Sequence, residues 1–313
     1  MATYIGIKRS SAQDCIISHR AETRIEVHRT PDERQSLVAC GMGSFMIDHS
    51  AMALLKTPAI TLKSRKWGEA DRIVTFYTLR FGKVRGVARG ARRVKSRFGS
   101  ALEPFVSSDL NLFEKPQDSL YRVTQADIRE SFSDLREDLT LMSGGARLVN
   151  LVTAITAESD PCPLVFETLL NGLRALQSGG DTLLITVLLQ IRLLGQTGFR
   201  PQTDHCAGCG ALFQKLRTDS PLWFSPQSGG LVCQACGHRY SGRCLSMSPG
   251  SRAMLQHALQ WSPAALTRLK ATGQIRMELE SAMEAYITVV AGKPLPPMDF
   301  LAAERHEPAY GLR

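Results

Sequence analysis

The sequence predicts a multidomain α+β protein, with a small β-barrel followed by an α-helical bundle that carries a cysteine-bearing insert. Three observations predict it. Short alternating segments crowd residues 52–130, helical spacing runs from about residue 131 to 291, and two CxxCG units interrupt that helical text. A chain of 313 residues is long for one average domain, and 43% hydrophobic against 21% charged residues is enough to bury real cores.

Residues 1–51 are polar and mixed, with His19, His28 and His49 scattered and no sustained periodicity. They read as an N-terminal extension or the product of an upstream start, because a far more ordered pattern begins at Met52. In AITLKSRKW, Ile60 and Leu62 alternate with Thr61, Lys63 and Arg65, which predicts a strand with those two sets on opposite faces. DRIVTFYTL is rich in β-branched and aromatic residues, and RFGK supplies a turn. GKVRGVAR alternates again, with Lys83, Arg85 and Arg89 on one face and Val84, Gly86 and Ala88 on the other. EPFVSSDLNLF and SLYRVTQADI follow, parted by the turn signal EKPQD. Five short strands within about eighty residues point to an OB-fold barrel over 52–130.

DLREDLTLMSGGARLVNLVTAITAE, PLVFETLLNGLRALQSG and DTLLITVLLQIRLLGQTG carry helical spacing. They predict the first part of the helical domain over 131–204, with the third helix central because it is apolar nearly all round. Helices resume over 246–291. Ser248–Pro249 and Ser262–Pro263 are N-cap and N1 pairs. The tail, 292–313, reads as mostly extended.

The insert, 205–245, holds Cys206-Ala-Gly-Cys209-Gly210 and Cys233-Gln-Ala-Cys236-Gly237, with twenty-three residues between the inner cysteines. Each unit predicts a tight knuckle whose glycine permits the turn. Four thiolates satisfy a tetrahedral Zn2+ with no open position, a structural arrangement. WFSPQSGGLVC between the knuckles has the strand–turn–strand pattern of a zinc ribbon. His205, His238 and Cys244 lie close enough in sequence to stand in as ligands or to neighbour them. Cys15, Cys40 and Cys162 have no partner spacing.

Charge is uneven. The chain carries a formal +9, yet Lys56 to Arg97 holds thirteen lysines and arginines against Glu69 and Asp71 alone. That window therefore exceeds the charge of the whole molecule. Within it, residues 82–99 read GKVRGVARGARRVKSRFG, with four glycines and no acid. A solvated basic loop is the plainest reading of such a run. The favoured one is a nucleic-acid face, because cations along strands, glycines and interspersed aromatics (Trp67, Phe76, Tyr77, Phe81, Phe98) fit a single strand's backbone and bases. Most of those aromatics must be core. Candidate DNA-binding residues are Lys63, Arg65, Lys83, Arg85, Arg89, Arg92, Arg93, Lys95 and Arg97, the last four in a mobile loop suited to tracking phosphates.

Several classes are excluded or disfavoured. GxxxxGK[ST], HExxH, GxSxG and a strand-borne GxGxxG do not occur, so a P-loop and the common hydrolase and dinucleotide motifs are missing. Isolated acids such as Glu103, Asp109 and Asp134 read as surface groups, so no catalytic set is predicted. A zinc-ribbon adaptor for transcription or RNA would need a strongly basic insert. Lys215, Arg217, Arg239 and Arg243 against Asp219 make it only mildly so. The start MATYIGIKRSSAQDC lacks an apolar core and no eighteen apolar residues run together, which predicts a cytoplasmic, reduced protein.

MALLKTPAITLKSRKWGEADRIVTFYTLRFGKVRGVARGARRVKSRFGSALEPF resembles the amino-terminal barrel of the bacterial RecO family of recombination mediators. The following helices, the cysteine insert and the tail GKPLPPMDFL also fit, so the resemblance spans about 52–301. Met52 falls where that family's chains usually begin. The resemblance implies an OB-fold, a helical domain and a structural zinc site on Cys206, Cys209, Cys233 and Cys236. It implies binding to single- and double-stranded DNA, carried over to Lys83, Arg85, Arg89 and the 92–97 cluster, and annealing of complementary strands. It also implies work with RecR to load RecA onto DNA coated by single-strand-binding protein, whose acidic C-terminal tail the helical domain recognises. No membrane role is implied, and a nucleoid-associated location is.

Overall fold

The computed structural model describes residues 54–114, 120–213, 222–239, 244–266 and 268–295. The expected extension 1–51, the EKPQD turn beyond Glu114 and most of the tail lie outside them. Five strands come first: β1 (Leu54–Trp67), β2 (Asp71–Thr78), β3 (Gly82–Ala88), β4 (Ser107–Phe113) and β5 (Tyr121–Glu130). They close into a barrel in the order β1-β2-β3-β5-β4, antiparallel except for a short parallel pairing of β3 with β5 at Gly86↔Tyr121 and Val87↔Arg122. β1 makes closure possible by its length, since its first half pairs with β4 and its second with β2.

The barrel interior is filled by Ala59, Val74, Phe76, Val84, Ala88, Leu110, Leu112, Val123 and Ala126. The segment between β3 and β4 adds Phe98, Ala101 and Leu102 to that same core. It is therefore a plug rather than a mobile loop: burying Phe98 and Leu102 ties its second half to the barrel core.

The alternation expected along β1 is broken. A bulge lies between Thr61 and Lys63, so Ile60 pairs with Tyr77 and Lys63 with Thr75. Paired residues point to the same side of a sheet, so Lys63 and Arg65 share a face with Ile60 and not with Thr61. Ile60, Leu62 and Tyr77 turn outward and pack into the helical core together with Phe105 and Phe132.

The helices are α1 (Asp134–Glu137), α2 (Leu139–Ile155), α3 (Pro163–Gln177), α4 (Thr182–Gln196), α5 (Gln234–Arg239), α6 (Pro249–Gln260), α7 (Pro263–Leu266) and α8 (Gly273–Ala291). The single helix expected from residue 134 is split, because the Asp138 carboxylate accepts from the amides of Thr140 at 2.7 Å and Leu141 at 2.9 Å and so starts α2 afresh. Ser248 caps α6 as expected, accepting from the Ser251 amide. α4 is buried along ten of its residues and packs on α2, α3, α6 and α8, the central position its composition predicts. Strands β6 (Leu222–Ser225), β7 (Gly230–Val232) and β8 (Leu245–Met247) form a small sheet in the order β7-β6-β8. Phe224 of β6 meets Tyr286 of α8 edge-on at 5.6 Å, so this sheet shares the helical core. Among the described residues no helix is long and apolar enough to cross a membrane.

The seam between barrel and helices is made of backbone as much as side chains. The segment after α2 runs along β3, where the Ser159 amide donates to the Lys83 carbonyl at 2.9 Å and Glu158 bridges Lys83. Gly82 sits at φ +63, and a Cβ there would lie 2.3 Å from the Asp160 carbonyl oxygen. Both facts demand glycine. Gly82→Ala is expected to cost about 2–3 kcal/mol, combining left-handed strain with displacement of that segment. A fall in the urea midpoint at unchanged m-value is the measurement.

Candidate nucleic-acid interface and metal centre

The pairings of β1 and β3 with β2 arrange the outer barrel face in rows. Ile60–Tyr77–Lys83 comes first, then Lys63–Thr75–Arg85, then Arg65–Ile73–Val87, and last Trp67–Asp71. Arg89 follows β3 immediately. The expectation that the cations of 60–66 and 82–89 face one side is met, through the bulge and not through simple alternation. Rows are about 6.7 Å apart, two residues of strand.

Chemistry changes along these rows. At the helical end, Ile60 and Tyr77 are buried, and burial pushes the Tyr77 phenol above its ordinary range while its hydroxyl faces the Cys162 carbonyl. Lys83 beside them donates through Nζ to the carbonyls of Thr153 at 2.8 Å and Thr156 at 2.6 Å. These are the open acceptors at the C-terminus of α2, where a cation also complements the helix dipole. Burial pulls the Lys83 ammonium below its ordinary pKa, with Glu158 opposing. Arg85 pairs with Glu158 at 2.9 Å. The sequence alone grouped Lys83 and Arg85 with the DNA candidates. The structure gives both a partner within the protein.

At the other end the face is open. Lys63, Arg65, Lys66, Trp67 and Arg89 are exposed, and Arg92, Arg93, Lys95 and Arg97 extend the cationic surface into the plug segment. Backbone and side chain fasten that segment to the β1–β2 turn. The Arg92 amide donates to the Ala70 carbonyl at 2.9 Å, and its guanidinium donates to the carbonyls of Gly68 at 3.1 Å and Glu69 at 2.9 Å. The Gly90 amide donates to Asp71 Oδ1 at 2.8 Å. Arg92 is thus a clasp as well as a surface charge. Arg97 lies 5.0 Å over the buried Phe98 ring, while Arg89, Arg93 and Lys95 have no acidic partner among the described residues. Of the aromatics in this region, Phe76, Tyr77 and Phe98 are core, Phe81 is half-buried and Trp67 is exposed.

The cysteine cluster stands apart from this face. The sulfurs of Cys206, Cys209, Cys233 and Cys236 all lie within 4.8 Å of one another, and Cys209 and Cys233 are 3.8 Å apart. A tetrahedral Zn2+ with sulfur at about 2.3 Å sets its ligands about 3.8 Å apart, so the donors fit such an ion. Burial pushes the Cys206 thiol up, but amides of Cys233, Cys209 and Gly208 directed at its sulfur outweigh this and bring it down to about 6. Burial, with its sulfur neighbours, pushes Cys236 up to about 12.

The two knuckles differ. Gly210 takes φ +76 and makes the expected turn, whereas Gly237 lies within α5 and has no left-handed backbone. Gly237 is needed for closeness instead: a Cβ would meet the Trp223 ring at 2.8 Å. His205, His238 and Cys244 are not part of the four-sulfur group. His205 bridges Leu212 through its backbone, His238 tilts against Trp223 at 5.5 Å, and Cys244 packs on the core. Lys215, Arg217, Asp219 and Arg243 lie outside the described residues.

Two family models match the chain: Recombination protein O N terminal over residues 52–132 and Recombination protein O C terminal over 136–298. Among similar proteins is the DNA repair protein RecO of Desulforamulus reducens, 30% identical over 80% of this chain and 94% of its own length. That of Heliobacterium modesticaldum is 35% identical over 75% and 85%. That of a Nocardioides species is 38% identical over 69% and 89%.

The clasp makes a prediction of its own. Arg92→Ala removes two hydrogen bonds from exposed backbone, so its cost should stay within about 1 kcal/mol. Amide exchange over residues 90–97 should nevertheless quicken relative to the β2 strand, as followed by hydrogen-exchange mass spectrometry.

Proposed function

This chain belongs to the RecO family of DNA repair proteins, and from that premise we propose that it is a non-enzymatic recombination mediator that binds DNA on the open end of its barrel. One observation carries the reading: Lys63 and Arg65 on the outer face of β1 lie towards the β1–β2 turn, to which the tethered 89–97 segment with Arg89, Arg92, Arg93, Lys95 and Arg97 is fastened. We read the barrel, over 52–130, as an OB-fold, because its closed order β1-β2-β3-β5-β4 with β3 parallel to β5 suits that class. Residues 131–204 and 246–291 are taken as one helical domain and 205–245 as its zinc-ribbon-like insert.

The DNA contacts proposed are Lys63, Arg65, Arg89, Arg92, Arg93, Lys95 and Arg97. Lys83 and Arg85 are assigned to the seam, where Lys83 holds the barrel against the end of α2 and Arg85 against the segment that follows it. Annealing needs no bond chemistry here. Cations neutralise the phosphates of two complementary strands, the strands approach, and base pairing drives the product. The partners that follow from the family reading are single- and double-stranded DNA, RecR, the acidic tail of single-strand-binding protein and, indirectly, RecA.

One zinc ion is proposed at Cys206, Cys209, Cys233 and Cys236. It would supply cross-linking rather than reactivity, since four thiolates leave no ligand position for substrate. Such a site can contribute on the order of 10 kcal/mol to ordering a segment.

Three experiments test this reading. Purified protein mixed with complementary strands pre-coated by single-strand-binding protein, without nucleotide, is expected to speed duplex formation. No acceleration, or strand cleavage, overturns it. Changing Arg89, Arg93 and Lys95 together to Ala should lower the slope of log affinity against log salt by about 2 for single strands, at about 0.7 per phosphate contact. For the metal, one zinc per chain is expected by elemental analysis. Its retention should fall as pH drops, because the ligating thiols must stay deprotonated, and Cys233→Ser should abolish it.

A further inference from the structure

Trp67 is left over from both the fold and the charge argument. It ends β1, pairs in register with Asp71, and is 57% exposed. A tryptophan offers more apolar area than most side chains and is highly buried on average, so leaving one this open costs stability unless something covers it. Its surroundings limit what that can be. Lys63 and Arg65 precede it on the same face of β1, and Lys66 is its chain neighbour. The clasped segment brings Arg92 against the adjoining turn, with Arg93, the fully exposed Val94 and Lys95 next in the chain. An apolar partner surface would have to desolvate these cations, whereas a polyanion with flat apolar faces satisfies both features at once.

Resting on the DNA reading above, we propose that Trp67 is the base-stacking platform of this face and that it makes the site selective for unpaired strands. Phosphates run along the Lys63–Arg65 edge of β1 and reach the Arg89–Lys95 segment. The base at the end of that path lies on the indole. Duplex DNA presents the same phosphates, but its base faces are already covered by their neighbours and give Trp67 nothing to stack on. Charge thus sets affinity for both forms, and Trp67 sets the preference between them. The bulge at Thr61/Lys63 is what puts Trp67 in line with the cations: without it, Arg65 and Trp67 would project on the opposite face of β1.

The test compares wild type, Trp67→Ala and Trp67→Phe on three probes of equal length: an oligothymidylate, an abasic oligonucleotide and a duplex. Trp67→Ala is expected to weaken oligothymidylate binding about tenfold, with abasic and duplex binding within about twofold and the salt slope unchanged. Trp67→Phe should recover most of the loss. An equal loss on all three probes, or none on oligothymidylate, overturns the assignment to Trp67. If wild type binds none of the three probes, the DNA reading beneath it fails instead.

Discussion

The bulge between Thr61 and Lys63 divides β1 into two stretches that serve different ends. Before it, Ala59 and Thr61 face inward and Ile60 faces the helices. After it, the phase shifts by one, so that Ser64 takes the inward side opposite Val74 while Lys63 and Arg65 stay outside. Strict alternation from Thr61 would send both cations into an apolar interior with Val74, Phe76 and Val84. Burying two unpaired cations costs several kcal/mol each, more than a typical domain can spare from its net stability. The bulge removes that conflict and keeps the barrel core dry. It also yields an outer face that is apolar where the helices dock and cationic where they do not.

That division explains why Lys83 and Arg85 are the basic residues of β3 that meet the helical domain. They stand in the rows nearest the helices, and the last turn of α2 ends there with carbonyls that have no further amide to accept from. A lysine held against two such oxygens satisfies them and itself, despite the burial that depresses its pKa. Together with the Gly82–Asp160 approach and the pairing of Glu130 with Arg174 of α3, this fixes the barrel's orientation on the helical domain.

Much of this was legible in the sequence. Alternation and turn signals located the five strands, helical spacing located the main helices, and CxxCG spacing found the four sulfurs that the fold brings together. The misses share one cause, which is that they depend on contacts between residues far apart in the chain. Alternation could not reveal the bulge, because KSRK is polar throughout and the single apolar residue after it, Trp67, is exposed, so no buried apolar phase shows the slip. Nothing in GKVRGVAR shows that Lys83 meets the end of α2 some seventy residues later, whereas Arg89 has no acidic partner among the described residues. Residues 92–97 read as a mobile loop because they are dominated by charge, while Phe98 and Leu102, which anchor the segment, follow them. Gly237 was expected to turn the chain, and only its distance to Trp223 shows otherwise. The Asp138 cap was readable, since an aspartate before an apolar helical run is a start signal.

The cysteine module completes the argument about where a polyanion would go. Here β7 is wholly buried, β6 nearly so, and Cys206 and Cys236 belong to the same apolar cluster as the helices. The chain leaves the bundle after α4 and re-enters at α6. An ion held by the four cysteines would clamp that excursion at four points and shorten the loop whose closure folding must otherwise oppose. Tyr286 then locks the excursion to α8 through Phe224 and through its hydroxyl, which donates to the Phe199 carbonyl at 3.2 Å. A module whose described strands are consumed in this way by the bundle's own core is a brace, which agrees with the proposal that places nucleic acid on the barrel's cationic end.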